Sequence, residues 1–98
     1  MGYRYQICTY DVWGNARDGW DVNDVRPGPV VAIDDARSDA QVIRALRAAG
    51  IIGRQHTRSF TVDGDETVYV SFDYGYTGRY RGESLAGMPV CELRPIFE

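Results

Sequence analysis

Ser38-Asp39-Ala40-Gln41-Val42-Ile43-Arg44-Ala45-Leu46-Arg47-Ala48-Ala49-Gly50 is the stretch of this chain with a helical period, and the residues on either side of it read as strand and turn. Val42, Ile43, Leu46 and Ala49 recur at the three-and-four spacing that places apolar side chains on one helical face. Ser38 suits the N-cap, and Asp39 complements the positive end of the helix dipole. Gly50 stops the run, because glycine takes a left-handed C-cap conformation at little steric cost, and Ile51 or Ile52 can then fold back onto the last turn. The spacing predicts a helix over 39–49 that buries Ile43 and Leu46, each contributing roughly 1.5–3 kcal/mol. The opposite face carries Arg37, Gln41, Arg44 and Arg47 and reads as a solvated face rather than a basic stripe for an acidic partner.

Upstream, residues 3–12 hold Tyr, Ile, Cys and Thr without glycine or proline and predict a strand with Tyr3, Tyr5 and Ile7 on one face. Turn-tolerant residues at 14–19 end that strand near Trp13. The reading continues as loop to Pro27-Gly28-Pro29, with room for a short edge strand over 20–22. Val30, Val31 and Ile33 predict a short buried second strand, and Asp34-Asp35 a turn into the helix.

Downstream, residues 59–62 and 67–73 flank Asp63-Gly64-Asp65-Glu66 as a hairpin. A two-residue Asp-Gly turn would place Phe60 and Val62 opposite in facing to Val68, Val70 and Phe72. An odd loop of three or five residues would align them, so the hydrophobic pattern predicts Phe60 and Val62 inside. Residues 90–97 complete the set, with Cys91 and Leu93 inward and Pro95 at a sheet edge or frayed end. The fold class that follows is α+β, in the order β-β-α-β-β-β. A single small antiparallel or mixed sheet of four to five strands is packed on one face by one helix. Its predicted core joins Ile7, Val31 and Ile33 to Val42, Ile43 and Leu46, and to Phe60, Val62, Val68, Val70, Phe72, Cys91 and Leu93.

Ninety-eight residues suit one domain over 1–98. No apolar run approaches the roughly 18 residues of a membrane span, and the start of the chain has no signal-peptide pattern, so the expectation is a cytoplasmic protein without a membrane partner. Cys8 and Cys91 match no zinc spacing and read as reduced strand residues, with a disulfide as the alternative should their strands be neighbours. Eleven basic residues, all arginine, stand against fourteen acids, a net charge of −3. That balance disfavours a general duplex-DNA binder and is too mild for a DNA mimic.

Three stretches carry candidate chemistry. Residues 11–24 gather Trp13, Asn15, Asp18, Trp20, Asp21 and Asp24 in a glycine-rich loop. Asp18 alone occupies an EF-hand ligand place before Gly19, so no metal or cofactor is expected there and the Asx side chains read as turn caps. Two tryptophans beside acids suit protein recognition, since Trp is enriched at interface hot spots; the alternative is that both fold back as lids on the core. Tyr74, Tyr76, Arg79, Tyr80 and Arg81 alternate with glycine, and such tyrosines stack unpaired bases while arginines meet phosphates. Asp73 and Glu83 flank that stretch and would repel a phosphate backbone. His56, with Arg54, Gln55, Thr57 and Arg58, is the third candidate, but no nucleophile elbow, phosphate loop or metal-ligand spacing accompanies it, so no catalytic residue is assigned.

Tyr10-Asp11-Val12-Trp13-Gly14-Asn15, then Asp18-Gly19-Trp20 and Val22-Asn23-Asp24, resembles an N-terminal motif of small uncharacterised proteins encoded by bacteriophages and mobile elements. The likeness covers about the first quarter of the chain. It implies an accessory protein that binds and inhibits or modulates a host protein, host-defence components among them. The expectation is therefore a non-catalytic protein-binding module using Trp13, Asn15, Asp18, Trp20, Asp21 and Asp24. Single-stranded nucleic acid binding through the Tyr/Arg loop is the alternative, and a self-associating assembly component a third class.

Overall fold

A computed structural model describes residues 3–53, 56–62 and 64–97. Arg54 and Gln55, beside His56, and Asp63 of the expected hairpin turn lie outside them. Among the described residues are one helix, a five-stranded sheet and a two-stranded sheet, so the α+β architecture holds, and the expected order holds apart from a short two-stranded hairpin inserted before the last strand. No described helix is long and apolar enough to cross a membrane.

The strands are β1 (Tyr3–Asn15), β2 (Gly19–Ile33), β3 (Thr57–Thr61), β4 (Val68–Phe72), β5 (Arg79–Tyr80), β6 (Glu83–Ser84) and β7 (Pro89–Pro95), and α1 spans Asp39–Ala48. The large sheet runs β2-β1-β7-β4-β3, antiparallel throughout, so the last strand of the chain lies at its centre. Leu93 sits opposite Ile7 on one side and Val68 on the other, and Cys91 opposite Thr9 and Val70. Directly paired residues share a face. These rows, with Tyr5 and Ile33, therefore form one apolar face, and Val42, Ile43 and Leu46 of α1 close over it.

The helix begins and ends as its local chemistry dictates. Ser38 Oγ accepts from Gln41 N–H, and Asp39 lies in the first turn. At the other end Gly50 takes φ 75°, donating to Arg47 O while Ile51 donates to Leu46 O, the paired bonds of a Schellman cap. Ile51 and Ile52 both pack against the core.

Two expectations are corrected. The region 11–24 is not a loop: β1 and β2 continue through it as a hairpin whose turn is confined to residues 16–18. β1 alone would reach roughly 40 Å at the rise of an extended strand, which matches the molecule's longest dimension of 43 Å. Pro27 and Pro29 do not stop β2 because it is an edge strand, where a missing N–H faces no partner. Two bulges absorb its irregular spacing, one on either side of the run that pairs Cys8 with Pro27 and Asp11 with Asp24.

The second correction is the register of β3. Phe60 pairs with Tyr69, and Ser59 and Thr61 pair with Val70 and Val68. Phe60 therefore lies on the face away from the helix, 51% exposed, and Val62 just beyond β3 is 52% exposed. The helix-side place goes to Ser59 because Asp39 claims it: Ser59 N–H and Oγ both donate to Asp39 Oδ1, at 2.6 and 3.0 Å. Phe60 stacks on Tyr69 instead, ring centroids 5.6 Å apart. Tyr5 enters the core, while Val31 and Phe72 are only partly buried.

Cys8 and Cys91 are both free thiols, in line with the reduced strand residues expected, although their strands are neighbours. Cys8 pairs with Glu92 and Cys91 with Thr9, so the two project to opposite faces of the sheet. Pro95 closes β7 as its last residue, at the end of a central strand rather than on an edge.

Candidate functional site

The face of the sheet opposite the helix is where the sequence leaves aromatic side chains without a covering element. Tyr10 and Val12 are two residues apart on β1 and so share a face, and they pair with Val25 and Val22. The extra residue at the bulge between those pairs brings Val22 and Val25 onto one side, which plain alternation would forbid. On the neighbouring strands Glu92, Tyr69 and Phe60 stand in one cross-strand row on this same face. Together with Tyr74 they line a cavity of about 410 Å³.

The polar groups in this row are locked. Glu92 is 9% exposed and accepts from Tyr10 Oη at 2.9 Å on one oxygen and from Arg94 Nε at 2.7 Å on the other. Burial and the bond to Glu92 push the Tyr10 phenol far above its ordinary value, so it stays protonated and donates. Tyr69 Oη donates to Asp65 Oδ2 at 2.6 Å. That bond and the Thr67 N–H hold the Asp65 carboxyl below the usual carboxylate range. With their hydroxyls fixed, Tyr10 and Tyr69 present rigid ring surfaces, whereas Tyr74 is 86% exposed at the mouth.

Both sheet edges are blunted against strand addition. On β2 the prolines remove donors, and on β3 the helix residue Asp39 occupies the outward Ser59 N–H. Strand addition at either edge of this sheet is therefore disfavoured.

The residues singled out in the sequence are divided by this architecture. Asn15 and Asp18 build the β1–β2 turn: Asn15 Oδ1 accepts from the N–H of Arg17 and of Asp18, at 3.0 and 2.7 Å, and its amide donates to Asp18. Trp20 pairs with Gly14 and projects to the helix-free side, where its indole N–H donates to Ala86 O at 3.1 Å. Trp13 projects to the other side, 64% exposed, sharing that face of the arm with Asp21, Asp11 and Asp24. Asp24 pairs with Arg26 at 3.0 Å. The two tryptophans thus divide, one docked as a lid and one exposed, and do not form a joint surface.

The Tyr/Arg stretch is likewise divided. Tyr76 stacks on Phe72 at 4.8 Å, and Arg79 donates to Gly82 O across the β5–β6 hairpin. Its two-residue turn, Arg81-Gly82, has φ of 50° and 83°, the left-handed pair of a type I′ turn. Arg81 lies over the Tyr80 ring, 5.3 Å from its centroid. Tyr74 alone of this group reaches the cavity. His56 is exposed, its carbonyl accepting from Asp73 N–H.

Sequence reasoning missed Tyr10, Tyr69 and Glu92. The signal available was the alternation Tyr69-Ser71 against Val68-Val70, which marks a second, half-polar face on β4. Comparison with protein-family models, curated proteins and solved structures found no match.

Proposed function

We propose that this protein is a non-catalytic protein-binding module that docks a partner on the helix-free face of its sheet. In the mobile-element context that its N-terminal motif suggests, the partner is a host protein that it inhibits or modulates. The observation that carries the reading is an uncovered aromatic and aliphatic surface, Phe60, Tyr74, Val22 and Val25, around a rigid, hydrogen-bonded floor. Exposed apolar surface on that scale favours an interaction site, and ring anchors held by satisfied polar groups lose little entropy on binding.

Nucleic acid is less well supported. Arg26, Arg58, Arg79 and Arg94 each have an intramolecular partner, which leaves little basic charge for phosphates near the aromatic rings. The exposed Trp13, beside Asp21, supports a second contact on the arm.

Affinity capture from a nuclease-treated bacterial lysate tests this, comparing wild type with a Phe60→Ala, Tyr74→Ala variant and a Trp13→Ala, Asp21→Ala variant. The expected result is one specific protein captured by wild type and lost in the first variant. Equal capture by wild type and that variant would refute the assignment of the face, and capture that vanishes with nuclease would refute the protein-partner reading.

A further inference from the structure

The β1–β2 arm carries the helix side of the sheet past the end of the helix. α1 lies over Tyr5, Ile7 and Ile33, and β7 pairs with β1 only as far as Thr9, so beyond that point β1 is paired with β2 alone. A two-stranded ribbon is marginally stable in water by itself. Trp20 ties down the helix-free side of this one through Ala86, but on the helix side Asp11, Trp13, Asp21 and Asp24 are all exposed. Asp24 is paired with Arg26, whereas the carboxylates of Asp11 and Asp21 accept no hydrogen bond among the described residues. The outer face of α1 has the opposite character. Ala40, Arg44, Arg47 and Ala48 fall at the i, i+4, i+7 and i+8 spacing of one helical face, and all four are exposed. Arg44 has no hydrogen bond or ion pair among the described residues, and Arg47 spends only its Nε, on Gly53 O. Asp39, the one acid of α1, is engaged by Ser59.

We propose that the acidic, tryptophan-bearing face of the arm docks on the outer face of α1 of a second copy of this chain, and the reverse, in a two-fold dimer. One chain carries both surfaces, and a two-fold axis makes the same contact twice, once in each direction. The two surfaces cannot meet within one molecule, because the arm face and the outer face of α1 look towards the same side of the sheet. Their spacings match. Asp11 and Trp13 are two residues apart on an extended strand, so the Asp11 row and the Trp13–Asp21 row lie roughly 7 Å apart. Arg44 and Arg47, three apart on a helix, stand about 5–6 Å apart. Each guanidinium can therefore meet one unpaired carboxylate while the Trp13 ring, 64% exposed, lies between them. The small side chains of Ala40 and Ala48 leave room for that ring, and a guanidinium stacks on its face. This surface is separate from the helix-free face, so the dimer leaves the docking face described above open.

The test is sedimentation equilibrium of the whole chain from about 1 µM to 1 mM, with charge-reversed variants alone and mixed. The expected result for wild type is a reversible dimer with a dissociation constant on the order of 10 µM, as suits a small interface. Raising the salt from about 0.1 to 1 M, which shortens the Debye length from about 10 to 3 Å, should weaken it about tenfold. Asp21→Arg alone and Arg44→Asp alone should each weaken it about a hundredfold, because like charges then face each other twice. An equimolar mixture of the two should dimerise to within about threefold of wild type, since one contact keeps its native charge pair and the other has the pair reversed. Trp13→Ala should weaken the dimer about tenfold. All three positions are exposed, and circular dichroism should show an unchanged fold. A monomer across the whole range overturns the inference, as does a dimer that the reversals leave intact. Failure of the mixture to restore association overturns the pairing of arm with helix. Loss of the dimer in the Phe60→Ala, Tyr74→Ala variant places the contact on the helix-free face and overturns it too, whereas lysate capture that fails while the dimer persists touches only the docking reading.

Discussion

Replacing Phe60 by alanine tests the register of β3 and with it the whole helix-free face. A fully buried phenylalanine contributes roughly 1.5–3 kcal/mol by burial, and Phe→Ala in a core costs about 3–5 kcal/mol once the cavity is included. Phe60 is 51% exposed, so about half the burial applies, roughly 1 kcal/mol. Losing its stack on Tyr69 adds about 0.5–1 kcal/mol. No enclosed cavity is left, because the ring opens to solvent. The expected loss is about 1.5–2 kcal/mol, a fall in Tm of about 6–16 °C for a domain of this size. Leu46→Ala, at a fully buried position over the sheet, should cost about 2–5 kcal/mol. Urea unfolding followed by tryptophan fluorescence measures both, provided the slope is unchanged and the midpoint alone moves. A Phe60→Ala loss above 3 kcal/mol, equal to that of Leu46→Ala, would mean that Phe60 packs under the helix after all, and the face described here would not exist.

Asp39→Ala should lower stability by about 1 kcal/mol, because the bonds it accepts from Ser59 are charge-assisted but solvent-accessible; light scattering should also show concentration-dependent self-association through the unmasked β3 edge, while unchanged melting in a monomeric variant would refute the clamp. Burial lifts the Cys91 thiol from 9.0 to about 12, so its contribution is complete below pH 9 and disappears as pH rises towards 12. Stability should therefore fall across that window by up to about 1.4 kcal/mol per pH unit, and Cys91→Ala should flatten the decline. Trp20→Phe should cost about 1 kcal/mol and speed amide exchange across residues 84–88 by loss of the bond to Ala86, whereas Trp13→Ala should stay within about 0.5 kcal/mol; a reversed order would mean that the faces of the two tryptophans are misassigned.

The helix was legible to the residue at its start because its causes are local. Ser38, Asp39, the spacing of Val42, Ile43 and Leu46, and Gly50 all act within one or two turns of chain, whatever packs against them. Ile7, Ile33, Val68, Val70, Cys91 and Leu93 were equally readable as core, since each sits in a strand whose apolar alternation has one possible inside.

What the sequence could not reveal depends on partners distant in the chain. Pro27 and Pro29 read as a loop until β2 is known to be an edge strand, because a missing N–H is harmful only where another strand would have used it. Phe60 reads as core by hydrophobicity, yet its facing is decided by Asp39, which bonds Ser59 twenty residues further along the chain and turns the aromatic ring outward. The same long-range placement carries β7 to the centre of the sheet, beside β1, and so brings Glu92 to Tyr10. Composition and periodicity thus determined an α+β chain with one capped helix. The tertiary structure alone decided which face of its sheet stays uncovered, since strand register and neighbour order depend on side chains that meet only after folding.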